Sequence, residues 1–227
     1  MPIANVNNIN VYYEIHGDGD PLCLIPGLNN DVRDYKKIVT LLSKSFKVIV
    51  LDNRGSGRTE KPDDPYSISI MSQDVVELLR YLGIDKAHIV GISLGGRIAT
   101  ELVLEHQDMV NTLILVSTYV SRIERNLQSR RLDIIIKLLS IWKQNDGVLR
   151  QREAARGYDA THRLHEIKVS TLIIHGKKDT FTPYKFAEDM HAKIRNSRLI
   201  TFNSGHMFFF FRPEQLFNAI TNFLLKS

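Results

Sequence analysis

The stretch Gly91-Ile92-Ser93-Leu94-Gly95 places a serine between two glycines, each two residues away. An apolar run, "AHIV", precedes it, and "LGGRIATELVLEH", with helical apolar spacing, follows. A serine in a sharp strand-to-helix turn projects its hydroxyl, and the crowded backbone there leaves no room for neighbouring side chains. The pattern points to a nucleophile. Such a hydroxyl needs a base to take its proton, and the base needs a partner to orient it. Of the eight histidines, His16, His88, His106 and His191 fall in or beside helices and strands, and His175 is the penultimate residue of a strand. His162 and His165 are three apart, as on a metal-binding face, but no third ligand accompanies them. His206 is different: it follows the run "LITF" and stands in the loop "NSGHM", where its ring can reach a neighbouring strand's tip. Asp179 follows "TLIIHG" and Asp52 ends "FKVIVLD", so both acids have strand-end positions. Asp179 is the candidate partner, because the loop after Asp52 has glycine-shaped constraints of its own; Asp179 also reads as a residue opening the helix near Pro183. Charge developing on an attacked carbonyl oxygen needs donors. The N–H of Leu94, at a helix start, is one candidate, and the N–H of Leu28, after "LCLIPG", is the other.

These residues must be held by a scaffold. Short runs rich in Val, Ile and Leu ("LCLIPG", "FKVIVLD", "AHIVGI", "VNTLILVS", "STLIIHG", "SRLITF") alternate with helical segments. Helices are expected over residues 31 to 43, 69 to 82, 183 to 194 and 213 to 225. That alternation implies an α/β fold with a mostly parallel sheet covered on both faces. Ligands bind such sheets beyond the carboxyl ends of the strands, where Ser93, Asp179 and His206 fall. The rhythm breaks between Thr118 and Lys168. The expected organisation is a core of residues 1–117 and 169–227 with a small helical insertion, residues 118–168, over the strand ends. Within it "LDIIIKLLSIW" reads as a helix with a narrow polar stripe, hence buried on more than one side.

A chain of 227 residues with 43% apolar content can bury a substantial core. No apolar run approaches the roughly 20 residues of a membrane span, and the polar start "MPIANVNNIN" lacks a signal-peptide pattern. The single cysteine, Cys23, sits in an apolar stretch and excludes an internal disulfide; a cytoplasmic location is expected. Residues 121 to 156 carry nine basic side chains against four acidic ones, an excess equal to the whole chain's net charge of +5. A solvated helical face explains this, and steering of an anionic ligand is the sharper reading. No basic–aromatic interleaving points to nucleic acid. The segment "NSGHMFFFF" places four phenylalanines beside His206; four consecutive rings cannot share one side, so some must pack beneath the sheet end.

With "LIPGLNND", "LDNRGSGRTEKP", "VGISLGG", "STLIIHGKKDTFTP" and "NSGHMFFFFRPEQLFNAITNFL", the chain resembles the α/β-hydrolase superfamily over essentially its whole length. It looks most like the serine hydrolase branch with esterases, 3-oxoadipate enol-lactonases and cofactor-free haloperoxidase-like enzymes. The resemblance implies Ser93, Asp179 and His206 as a triad, Leu28 and Leu94 as oxyanion donors, and an eight-stranded sheet with an antiparallel first hairpin. It implies no cofactor and no metal. The expected partner is a small-molecule ester or lactone, with no nucleic acid and no membrane span; the insertion is a candidate surface for a homo-oligomer. Asn29, Trp142, Met207 and Phe208 are the candidate pocket residues. The rival readings are a C–C bond hydrolase of dienone acids using the same triad, and a ligand-binding member that barely turns over. Three features depart from the family: a short insertion, Ser170 where a proline commonly precedes the strand, and Phe211 where a glutamate often stands. A serine nucleophile argues against haloalkane dehalogenases and epoxide hydrolases, which use aspartate there.

Overall fold

Alternate residues of the apolar runs serve two separate cores, which is why the runs are continuous rather than half polar. Along one strand Ile89 faces one core and Val90 and Ile92 the other; Leu113 and Leu115 are likewise separated from Ile114 and Val116. A strand's side chains alternate between faces, so a sheet buried on both sides reads as an unbroken apolar run. The computed structural model describes residues 2–122, 134 and 146–225. Its strands are β1 (Ile3–Val6), β2 (Ile9–His16), β3 (Asp20–Ile25), β4 (Phe46–Leu51), β5 (Ala87–Ile92), β6 (Val110–Val116), β7 (Ser170–Gly176) and β8 (Ser197–Phe202). They form one eight-stranded sheet in the order β1-β2-β4-β3-β5-β6-β7-β8. β1–β2 and β2–β4 pair antiparallel, and every later pairing is parallel. The parallel strands bring the ends of β3, β5, β7 and β8 to one edge of the sheet.

Helices cover both faces. α1 (Lys36–Leu42) and α7 (Pro213–Leu224) pack with Leu22, Leu24, Val48 and Val50 on one side. α2 (Ile68–Tyr81), α3 (Leu94–Glu105) and α5 (Lys185–Lys193) pack with Cys23, Ile25, Ile49 and Leu51 on the other. α2 begins where the Ser67 side chain accepts the N–H of Ile70, and α7 opens on Pro213, which lacks an N–H the first turn could not use. The helix expected over 31–43 is divided: Val32–Tyr35 form a 3₁₀ turn ahead of α1. Asp31 caps that turn, accepting the N–H of Arg33, and Asp34 returns a carboxylate to the N–H of Asp31. The expected helices at 69–82, 183–194 and 213–225 match α2, α5 and α7 to within two residues at each end.

Between β6 and β7 the described residues form α4 (Gly147–Gly157), a 3₁₀ turn at Leu164–Glu166, and no strand. The helix expected in "LDIIIKLLSIW", with Trp142, lies outside the described residues apart from Ile134. α4 rests on the glycine-rich loop after β4. A Cβ on Gly147 would stand 2.4 Å from the carbonyl oxygen of Gly55, so backbone meets backbone there. Near its far end α4 is held by buried Arg97 of α3, whose guanidinium donates to the carbonyl of Ala155 and stacks 4.2 Å from the Tyr119 ring. Among the described residues no helix is long and apolar enough to cross a membrane.

Candidate active site

Ser93 joins β5 to α3 with φ 54° and ψ −115°, a left-handed backbone that costs a non-glycine residue about 1–3 kcal/mol. Its surroundings over-determine it. The Ser93 N–H donates to Val116 O at 2.9 Å, and its carbonyl accepts from Gly96 N at 3.0 Å and Thr118 Oγ1 at 2.7 Å. The flanking glycines are required by space: a Cβ on Gly91 would lie 2.4 Å from Gly95 O, and one on Gly95 would lie 2.0 Å from Ile25 O.

The hydroxyl faces His206. Ser93 Oγ lies 3.2 Å from His206 Nε2, and His206 Nδ1 lies 2.8 Å from Asp179 Oδ2. The carboxylate can only accept, so the imidazole proton sits on Nδ1 and Nε2 is left to accept from the serine. Ser93, Asp179 and His206, which follow β5, β7 and β8, are thus in one hydrogen-bonded line. Asp179 also shapes its own loop. Its Oδ1 accepts the N–H groups of Phe181 and Thr182 at 2.9 and 2.8 Å, fixing the turn that leads to α5. The same carboxylate therefore serves the histidine with one oxygen and the approach to the helix with the other. Burial alone would raise its carboxyl, but hydrogen bonds from His206 and Thr182 outweigh that and hold it below the ordinary carboxylate range. Asp52 is spent elsewhere: its two oxygens accept the N–H groups of Val32 and Arg58, both at 2.8 Å.

Three polar residues around this line are not marked by any pattern in the sequence. Thr182 donates a short hydrogen bond to Asp179 Oδ2, and its hydroxyl lies 3.2 Å from His206 Nδ1. Ser117, itself at φ 46°, donates to the carbonyl of His206 at 3.2 Å. His175 is fully buried and donates from Nε2 to the Thr182 carbonyl at 2.7 Å. The carbonyl cannot donate, so His175 carries its proton on Nε2; its Nδ1 is buried without a partner among the described residues. Burial holds this imidazole below the ordinary histidine value, against the opposing pull of that bond and of Asp179. The only sequence signal for these groups is position: each stands at or just after a strand end.

The loop after β3 lies against Ser93. A Cβ on Gly27 would sit 3.4 Å from Ser93 Cβ and from Ile92 O. Leu28 and Asn29 are half-buried, and Asn29 has φ 58°. Leu94 is buried at the first position of α3, where helical N–H groups have no partner within the helix. Both candidate oxyanion donors thus come from backbone beside the serine.

The phenylalanines form a short helix, α6 (Phe208–Phe211), which the sequence does not indicate as helical. One pocket expectation needs correction. Phe208 turns into the core against Phe202 and is 3% exposed, so it is not a wall residue. A helical turn sends successive rings in different directions: Phe209 is buried edge-on to the His206 ring at 6.0 Å, and Phe211 is 81% exposed. Outside, Phe181 and Met207 are exposed, and the Phe181 ring lies 5.5 Å from His206. Phe181 is not among the expected pocket residues, although it is two residues from Asp179. Trp142 lies outside the described residues.

A family model described as the alpha/beta hydrolase fold matches residues 20–146, and one described as serine hydrolase (FSH1) matches residues 84–213. The AB hydrolase superfamily protein YisY of Bacillus subtilis (strain 168) is 26% identical, with 97% of each chain covered. Among solved structures, the esterase EaEST of Exiguobacterium antarcticum aligns with a TM-score of 0.86 at 26% identity, covering 99% of both chains. The enol-lactonase of Burkholderia xenovorans LB400 aligns with a TM-score of 0.87 at 24% identity, covering 99% of this chain and 100% of that one.

Proposed function

Since the chain belongs to the alpha/beta hydrolase fold family, we propose that it is a serine hydrolase cleaving carboxylic ester or lactone bonds through an acyl-enzyme. The observation that carries this reading is the line Ser93 Oγ–His206 Nε2–His206 Nδ1–Asp179, at 3.2 and 2.8 Å, on a serine held in a left-handed turn. His206 Nε2 takes the Ser93 proton as Oγ attacks the carbonyl carbon. The oxyanion that forms is met by the N–H groups of Leu94 and Leu28. His206 then gives its proton to the departing alkoxide, or to the ring alkoxide of a lactone. Water attacks the acyl carbon as His206 takes its proton, and the acid leaves as Ser93 Oγ recovers a proton from the imidazole. Asp179, held in its ionised form, orients the ring and stabilises the imidazolium between these steps. None of these steps calls on a metal or cofactor.

The resemblance to a solved esterase at 26% identity is in keeping with acyl transfer to water. The exposed Phe181 and Met207 beside His206 favour a substrate with an apolar group near the scissile bond. Turnover of a p-nitrophenyl ester by the wild type and by Ser93→Ala tests the reading. The expected result is loss of at least about 10³-fold in kcat with the melting temperature maintained or raised, and loss of fluorophosphonate labelling. Turnover and labelling that survive Ser93→Ala remove the proposal.

A further inference from the structure

We propose that Gln151 of α4 is a positioning residue for the oxyanion loop, so that α4 is part of the catalytic scaffold. The inference rests on the acyl-transfer reading of Ser93. Gln151 is fully buried, and its side-chain amide is nearly saturated. Oε1 accepts the N–H of Asn29 at 3.2 Å, while Nε2 donates to Arg54 O at 2.8 Å and to Ser56 Oγ at 2.9 Å. The orientation is unambiguous, because a backbone N–H can only donate and a carbonyl can only accept. One side chain therefore ties three segments together: α4, the glycine-rich loop after β4, and the loop after β3.

What it holds is the amide next to the candidate oxyanion donor. On the other side of Leu28, the Gly27 N–H donates to the buried hydroxyl of Tyr35 at 3.0 Å. Asn53 Nδ2 donates to Pro26 O at 2.9 Å. The Leu28 N–H thus lies between two amides, each claimed by a buried side chain, on a loop in contact with Ser93. Asn29 has a φ of 58°, a left-handed conformation that the bond from its N–H to Gln151 helps to hold. α4 can supply it because the helix is docked at both ends, by the Gly55–Gly147 contact and by Arg97. An oxyanion donor acts through placement, and small displacements are expensive in rate.

Gln151→Met keeps the volume and removes all three bonds. The expected result is a fall in kcat of about tenfold or more on a p-nitrophenyl ester, with KM changed by less than about twofold. Affinity for a trifluoromethyl ketone, which forms a tetrahedral adduct on Ser93, should fall in proportion to kcat/KM. Gln151→Glu retains an acceptor for the Asn29 N–H and should recover part of the loss. Ser56→Ala weakens only the Nε2 anchor and should show a smaller loss in the same sense; it carries the test if Gln151→Met does not fold. Unchanged kcat and inhibitor affinity in the folded variants overturn the proposal, as does a loss confined to KM. Turnover that survives Ser93→Ala would instead overturn the site reading itself.

Discussion

The two flanks of Ser93 are built from different materials. On one, Asp179 and His206 present ionisable side chains just beyond β7 and β8, in a chain of hydrogen bonds. On the other, the loop from Pro26 to Asn30 presents backbone, and the side chains that matter are those holding it: Asn53, Tyr35 and Gln151. In the proposed mechanism the first flank supplies a proton acceptor and the second a fixed dipole. One should be sensitive to pH and tautomer, the other to geometry alone. The two meet through α6. Phe209 lies edge-on to His206 and stacks 6.3 Å from the ring of Tyr35, so one phenylalanine is packed between a residue of each flank.

The largest effect should come from Asp179→Asn. The asparagine carbonyl can still accept the N–H groups of Phe181 and Thr182, so the turn persists. Its NH₂ would then face His206 Nδ1 and donate, leaving the imidazole proton on Nε2, where it cannot take a proton from Ser93. The expected fall in kcat is about 10⁴-fold, with a much smaller change in melting temperature. Retention of more than a tenth of the wild-type rate would show that the acid–base flank does not depend on this carboxylate.

Tyr35→Phe probes the other flank and should do less. It removes the hydroxyl that accepts from Gly27 N and donates to Asn30 Oδ1, at 3.0 and 3.1 Å. Losing one buried clamp of about 1–1.5 kcal/mol predicts a fall in kcat of roughly tenfold. The pH–rate profile is the discriminating measurement. Asp179→Asn should distort it, and Tyr35→Phe should lower the plateau without moving either limb. A displaced acid limb in Tyr35→Phe would break the distinction between the flanks.

That distinction also explains what can be read from the sequence. Ser93, Asp179 and His206 stand out because their side-chain types are capable of acid–base and nucleophilic chemistry and each follows an apolar run. The sheet is visible because strands buried on both faces leave continuous runs of Val, Ile and Leu. Gln151 and Tyr35 are not, because a polar side chain in a helix and a tyrosine at helical apolar spacing look like ordinary surface and core. Their meaning lies in which distant amide they reach, 122 and 8 residues away in sequence. The run "FFFF" misleads for a related reason. Nearness to His206 in sequence suggests Phe208 for the pocket, but the turn of α6 gives the contact to Phe209 and sends Phe208 into the core. Phe181 reaches the same histidine from a loop 25 residues earlier, which no local pattern announces.

The smallest effect expected is that of His175→Gln, and it concerns stability more than rate. His175 touches the acid–base flank from behind, through the Thr182 carbonyl and within 3.5 Å of Asp179 Oδ2. Its folded-state value lies below the ordinary 6.5 because burial disfavours the charged ring. Protonation would also add a donor at Nδ1, which has no buried acceptor among the described residues. As pH falls below about 6.5 the unfolded chain takes up a proton that the folded protein resists, so stability rises with pH in this window and is lost on acidification. Asp179 acts in the same direction but lower down, its depressed carboxyl losing its contribution only as pH falls through and below the ordinary 3.8. The windows are separate, so the origin of the loss can be assigned. Glutamine can still donate to the Thr182 carbonyl and takes up no proton. Its melting temperature should fall less than that of the wild type between about pH 6.5 and pH 5, by a few degrees. Near pH 8 its kcat should stay within about threefold, since the Asp179–His206 bond is untouched. Equal slopes of melting temperature against pH in the two proteins would remove His175 as the titrating group. A large loss of kcat at pH 8 would show that the base is positioned from a layer deeper than Asp179 and Thr182.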